Sequence, residues 1–299
     1  MTLVAEGYRT AERITRDRAK SFAFASIALD PATKRACFAA YAFCRRCDDA
    51  VDDGSIAPED LPAKIAELRS DVDAVYAGDH RNDPILAAFG DTVRSRSVPR
   101  RAVDELIDGM ELDLTKVRYE TWDELEHYCE LAAGTVGRML AAIFGVQDRG
   151  ALVHASALGR AMQLTNVMRD VGEDILERDR VYLPIEALRA RGLEAATLHR
   201  FAEQRRLDES EAAHAFRDVM REATVRARAL YAMADRGVPK ITSTAGRACV
   251  RLMRASYSEI LNVIEARRYD VFAGRASTST ATKVKVGAAA VFRAAEVSP

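Results

Sequence analysis

An all-α fold, organised as a single helical domain over residues 1–299, is what this sequence predicts. Three observations predict it. Alanine, leucine, arginine and glutamate, all good helix formers, dominate the composition. Proline and glycine gather at a few breaks, at 78–84, 98–99, 191–192 and 236–239. Strand-like alternation is nearly absent, and neither an internal repeat nor a low-complexity linker divides the chain. With 48% hydrophobic and 30% charged residues it can bury a large core.

Taken in order, the helices expected are 6–18, 31–53, 60–77, 84–96, 99–117, 121–145, 149–176, 205–234 and 245–268. The second is the best marked, with Asp30 as N-cap, Pro31 at the first helical position, an apolar run over 36–43 and Gly54 as its stop. The break at 78–84 separates the third from the fourth, and Val98-Pro99 separates the fourth from the fifth. The sixth carries the longest apolar stretch, 131–146, which Arg138 interrupts and which falls short of the about 20 residues a bilayer span needs. The seventh holds Met162, Leu164, Val167 and Met168 beside a polar stripe of Gln163, Asn166, Arg169 and Asp170 at three- and four-residue steps. Amides and a guanidinium along one line of a buried helix require a polar partner.

Two carboxylate clusters sit at the ends of these apolar helices, Asp48-Asp49-Ala50-Val51-Asp52-Asp53 and Asp170-Val171-Gly172-Glu173-Asp174. The helix dipole is negative there and disfavours anions by about 0.3–1 kcal/mol each, so a compensating cation is expected. Asp48 and Asp52, Asp49 and Asp53, and Asp170 and Asp174 are each four apart and project from one face. Hard oxygen donors at that spacing suit Mg²⁺, with Mn²⁺ as the substitute. A single acidic run is ordinarily a solvated helix end; two matched ones, each with arginine nearby, point to the halves of one divalent-metal site. Gly134 and Gly137 leave a thin helix wall or simply permit close helix packing, and Tyr41 and Tyr128 lie beside the clusters or in the core.

The formal net charge of −1 gives no pull toward nucleic acid. Residues 1–8 lack a signal pattern, and five cysteines, an odd number, fit reduced thiols, so a cytoplasmic location is expected. Cys44-Arg45-Arg46-Cys47 has no second pair at zinc-ligand spacing and reads as helix packing, and the five histidines show no ligand pattern. Nucleotide loops and serine-nucleophile motifs are absent, as is any nicotinamide fingerprint, so no nicotinamide is expected.

Three stretches together resemble the squalene/phytoene synthase family: Tyr41-Ala42-Phe43-Cys44-Arg45-Arg46-Cys47-Asp48-Asp49-Ala50-Val51-Asp52, Gln163-Leu164-Thr165-Asn166-Val167-Met168-Arg169-Asp170-Val171-Gly172-Glu173-Asp174, and Arg180-Val181-Tyr182-Leu183-Pro184. Lys20-Ser21-Phe22, Tyr128 with Gly134 and Gly137, and Tyr257 also fall where that family has matching motifs, and the likeness spans roughly 10–272. The resemblance implies an isoprenoid-synthase fold around a central cavity, with the two aspartate motifs facing each other across its mouth. It implies head-to-head condensation of two prenyl diphosphates, in the phytoene-forming manner. Asp48, Asp52, Asp170 and Asp174 would then hold Mg²⁺, supported by Asp49, Asp53 and Asn166. Arg45, Lys20, Ser21 and Arg169 would contact diphosphate, Gln163 and Asn166 would orient ligands, and Phe22, Tyr41, Tyr128 and Tyr257 would line the reacting end, where aromatic faces shield a carbocation.

Small side chains at Ala23, Ala25, Ser26 and Ala28 lean toward two twenty-carbon geranylgeranyl tails, provided the helix around 21–29 lines the tunnel. Two fifteen-carbon farnesyl units, giving a squalene-type product, are the alternative. A chain-elongating prenyltransferase, a terpene cyclase and a non-catalytic assembly protein are the rival classes; the pattern from Gln163 to Asp174 is foreign to the first two, and intact acids argue against the third. The tail, 277–299, matches no motif; within it 283–293 is either an amphipathic segment for peripheral membrane contact or a frayed surface helix. Oligomeric state is not legible.

Overall fold

The computed structural model describes residues 2–51, 58–115, 118–146 and 148–277. Thirteen α-helices follow one another among them: α1 Leu3–Arg18, α2 Lys20–Ala25, α3 Pro31–Val51, α4 Leu61–Ala77, α5 Pro84–Arg96, α6 Arg100–Thr115, α7 Trp122–Cys129, α8 Thr135–Ile143, α9 Arg149–Arg178, α10 Ile185–Arg189, α11 Ala195–Glu203, α12 Glu211–Asp235 and α13 Thr244–Ala266. The described residues form no strand, only an isolated bridge between Arg118 and Val181.

Capping chemistry sets the two helices that matter most. Asp30 Oδ1 accepts from the backbone N–H of Ala32 and Thr33, each at 3.0 Å, as an N-cap before Pro31 should. Asp148 does the same for α9, accepting from Gly150 N at 2.8 Å, and α9 ends where Asp179 turns left-handed at φ 52°. The expected stop at Gly54, with Asp52 and Asp53, lies outside the described residues.

Three expectations need correction. The helix expected over 121–145 is divided by a π-turn, Glu130–Gly134. Ser156 on α9 donates to the Glu130 carboxylate, and Arg138 stands 3.2 Å from the same carboxylate, partners that no local pattern reveals. The helix expected from 205 begins at Glu211, because Arg205 is left-handed at φ 48° and Ser210 caps the new start. Finally, the loop assumed before it contains α10 and α11, too short for their periodicity to register.

Two apolar clusters fill the interior. One joins α7, α9, α11, α12 and α13 through Leu164, Met168, Phe216 and Tyr231. The other joins α1, α3, α5, α6 and α8, where Phe43 stacks on Phe89 at 4.1 Å between ring centroids. Burying each of those rings stabilises the fold by roughly 1.5–3 kcal/mol. Met162 and Val250 touch both clusters. The α8–α9 hairpin is unusually tight: a Cβ on Gly137 would lie 2.2 Å from Ala155 O, and one on Gly159 would lie 2.0 Å from Ala133 O. Close packing is therefore what Gly137 permits. No helix among the described residues is long and apolar enough to cross a membrane.

Candidate active site

The long α3 and α9 bring their acids to one cavity of about 300 Å³. Arg45 and Asp48 come from α3, Gln163, Asn166, Asp170 and Asp174 from α9, and Tyr128 from α7. The aspartates at this cavity wall do not behave alike. Asp170 is gripped by Arg169, at 2.7 and 2.5 Å, and by Arg275, at 3.0 Å. Asp174 is pushed up to about 7, first by burial and then by the charge of Asp170, with Glu173 and Asp113 adding to it and Arg178 opposing. Asp49, by contrast, is exposed and paired with Arg45, in a groove on the other side of α3. Asp52 lies outside the described residues.

Amide and phenol groups form a chain along the wall. Asn166 Nδ2 donates to Gln163 Oε1 at 3.3 Å, and Gln163 Nε2 donates to Tyr128 Oη at 3.4 Å. Tyr128, Tyr119 and Tyr182 pack ring on ring, with centroids 5.3, 5.5 and 5.8 Å apart. Burial, then the nearby Asp113, holds the Tyr128 hydroxyl well above its ordinary range, so it keeps its proton. Tyr41 is pushed up to about 12, mainly by burial, and packs against Phe22 at 5.9 Å. Tyr257 is raised by burial beside Arg169, Asp170 and Arg275. Lys20 is exposed at the start of α2, and neither it nor Ser21 lines this cavity.

A second cavity, apolar and about 180 Å³, meets the first at Gln163 and Asn166, which line both. It runs between α8 and α9 toward the turn that joins them, where Phe144, Val146 and Ala151 line it. The segment 21–29 does not line it: Ala25 and Ser26 are buried elsewhere and Ala28 is exposed. The expected tunnel wall is instead supplied by the small residues Ala133, Gly137, Ala155 and Gly159.

The family model for squalene/phytoene synthase matches residues 15–282. The chain belongs to the squalene/phytoene synthase family. It is accordingly a prenyltransferase with the isoprenoid-synthase fold. A phytoene synthase of Mycobacterium bovis is 36% identical over 302 residues, covering 100% of this chain and 95% of its own. The 15-cis-phytoene synthase of Synechocystis is 34% identical over 294 residues, covering 94% and 83%. Among solved structures, a dehydrosqualene synthase in complex with ligand superposes with a TM-score of 0.85 at 26% identity, over 98% of both chains.

Divalent-metal use belongs to the squalene/phytoene synthase family. Among the described residues no three acids, cysteines or histidines converge as a coordination sphere. The donor chemistry nevertheless fits one: Asn166 Oδ1 is buried without a hydrogen-bond partner, and the raised Asp174 marks negative charge short of compensation.

Sequence reasoning about the family's motifs missed Asp113, which lines the polar cavity from α6 and accepts from Tyr182 Oη and Arg180 Nη1, both at 2.8 Å. Arg180 and Tyr182 were visible as a motif without a role; Asp113 and Arg275 carry no spacing signal at all.

Proposed function

We propose that this enzyme condenses two geranylgeranyl diphosphates head to head, through a cyclopropyl diphosphate, to phytoene. The observation that carries the reading is the junction of a polar and an apolar cavity at Gln163 and Asn166. From Asn166 to Ala151, α9 lines the apolar cavity over about 22 Å at 1.5 Å per residue. A geranylgeranyl tail drawn out with C–C bonds of about 1.5 Å spans roughly 19 Å, and a farnesyl tail roughly 14 Å. Met162 and Met253 in the wall are adaptable enough to widen the passage around the longer tail.

Asp48, Asp170 and Asp174, with Asn166 through Oδ1, are the residues that would hold Mg²⁺, or Mn²⁺ in its place, and Asp52 is expected to join them. Bound there, the divalent ion supplies positive charge to a departing diphosphate. Arg45 and Arg169 serve the diphosphate groups, and Arg275 joins them; Lys20 and Ser21, which do not line the polar cavity, serve only a diphosphate that projects from it. The donor's C1–O bond breaks, its allylic cation is attacked by the second molecule's double bond, and loss of a proton closes the cyclopropane. Loss of the second diphosphate, rearrangement and a further proton loss give the hydrocarbon. Tyr128 cannot accept those protons while it keeps its own, so departing diphosphate takes them. Tyr128 and Tyr182, which line the polar cavity, present π faces to the cation, with Tyr41, Phe22 and Tyr257 around the reacting end. The apolar wall excludes water that would trap the cation. No nicotinamide is needed when the sequence ends in proton loss. Because the product is a hydrocarbon, peripheral membrane contact belongs to the same reading; the candidate segment 283–293 lies outside the described residues.

The narrowness of the apolar cavity favours a second reading, two farnesyl diphosphates giving a dehydrosqualene-type product. Incubation with Mg²⁺ and either geranylgeranyl or farnesyl diphosphate, without nicotinamide, decides by the mass of the extracted hydrocarbon. Forty carbons are expected; thirty carbons, from farnesyl diphosphate alone, would replace the first reading with the second.

A further inference from the structure

Near its far end the apolar cavity is lined by a polar side chain that the proposed chemistry does not use. His154 lines it on α9, about 18 Å along the helix from Asn166 at 1.5 Å per residue. Its Nδ1 lies 2.8 Å from the carbonyl oxygen of Met233, which ties the ring to the end of α12. Behind it stands Gly237, where an added Cβ would lie only 2.3 Å from His154 Cβ. Phe144, in the turn between α8 and α9, is buried and lines the same end of the cavity. Everything between this end and the junction at Gln163 is aliphatic, glycine or methionine.

We infer that His154, wedged against Gly237, and Phe144 form the stop that fixes how long a prenyl tail this cavity accepts. The inference rests on the prenyl diphosphate reading and deepens it by naming the residues that set chain length. The distances support it: a farnesyl tail of roughly 14 Å ends short of His154, whereas a geranylgeranyl tail of roughly 19 Å reaches the space between His154 and Phe144. Neither residue lines the polar cavity, so the stop gauges the tail that enters this apolar cavity, one of the two substrates.

Two substitutions move the stop in opposite directions. In Gly237→Ala the new methyl would lie 2.3 Å from His154 Cβ, an atom fixed to the α9 backbone, so α9 with its imidazole is pushed from Gly237 toward the cavity that both residues line, which shortens it. In Phe144→Ala the wall at that end of the cavity recedes. Steric discrimination of this kind is worth about tenfold to a hundredfold in kcat/KM. Gly237→Ala is expected to lower the preference for geranylgeranyl over farnesyl diphosphate by about tenfold or more, and to yield a thirty-five-carbon hybrid from an equimolar mixture, because only one tail is shortened. Phe144→Ala is expected to admit a twenty-five-carbon prenyl diphosphate at least about tenfold better than the unaltered enzyme. His154→Ala, which removes bulk without crowding, should act like Phe144→Ala and keeps the test decisive if Gly237→Ala fails to fold. Unchanged chain-length ratios in folded, active Phe144→Ala and His154→Ala proteins would overturn the inference. Inactivity of the unaltered enzyme toward every prenyl diphosphate would instead overturn the reading beneath it.

Discussion

Both α3 and α9 deliver aspartates to the polar cavity, but they hold them by different means. On α3 the cation is local: Arg45 pairs with Asp49 one turn away and leaves Asp48 on the cavity side. On α9 Asp170 is held by its neighbour Arg169 and by Arg275, 105 residues further along the chain. One half of the site is thus assembled as soon as its helix forms, whereas the other is complete only when the segment after α13 has folded back. Geometry that depends on remote closure is also the half that a single substitution loosens most readily.

The bluntest way to break the comparison is to remove one acid from each half. Asp48→Ala and Asp170→Ala are each expected to lower kcat by about a thousandfold or more while circular dichroism shows unchanged helix content, since each removes a group aimed at charge that develops on the leaving diphosphate. An active protein carrying both changes would remove the catalytic assignment from both helices. Arg275→Gln probes the α9 clamp alone. Losing a charge-assisted partner should cost about tenfold in kcat/KM, read mainly as a raised KM, while the Mg²⁺ concentration for half-maximal activity falls because Asp170 gains free lone pairs. The corresponding change on α3, Asp49→Asn, should move the Mg²⁺ requirement less, because Asp49 faces away from the cavity.

The smallest effect concerns stability. In the folded, metal-free chain Asp174 keeps its proton up to about pH 7, whereas an ordinary aspartate releases it near 3.8. Between those values the folded state binds more protons than the unfolded one, so stability falls as pH rises, with the full penalty present above 7. Asp174→Asn should therefore raise the Tm of the metal-free protein at pH 8 by about 2–4 °C, corresponding to about 1–2 kcal/mol, with no gain near pH 4. A Tm gain equal at both pH values would mean that burial of the side chain, not its ionisation, carries the effect.

Helical period and capping made much of this molecule legible in advance. Asp30, Pro31 and the apolar 36–43 run located α3, and the stripe from Gln163 to Asp170 located the wall of the cavity. What stayed hidden depends on contacts between remote segments. Asp113 becomes part of the site only through Tyr182 and Arg180, across 69 and 67 residues. The small residues of 21–29 suggested a tunnel, yet the tunnel wall is built where Gly137 and Gly159 let two helices touch, a feature that requires knowing which helices are neighbours.

The π-turn at Glu130–Gly134 gives the rod from α7 to α8 two phases. Tyr128 before the turn and Ala132 within it look into the wet cavity, and Gly137, Leu140 and Phe144 after it look into the dry one. One residue absorbed in the wide turn resets the helical clock by about 100°, the angle per residue at 3.6 residues per turn. Were the helix regular, the downstream stripe would rotate toward Met139 and Ile143, which are fully buried in the cluster around α3. A small irregularity in winding thus lets one continuous rod serve a charged head and a greasy tail on the same side.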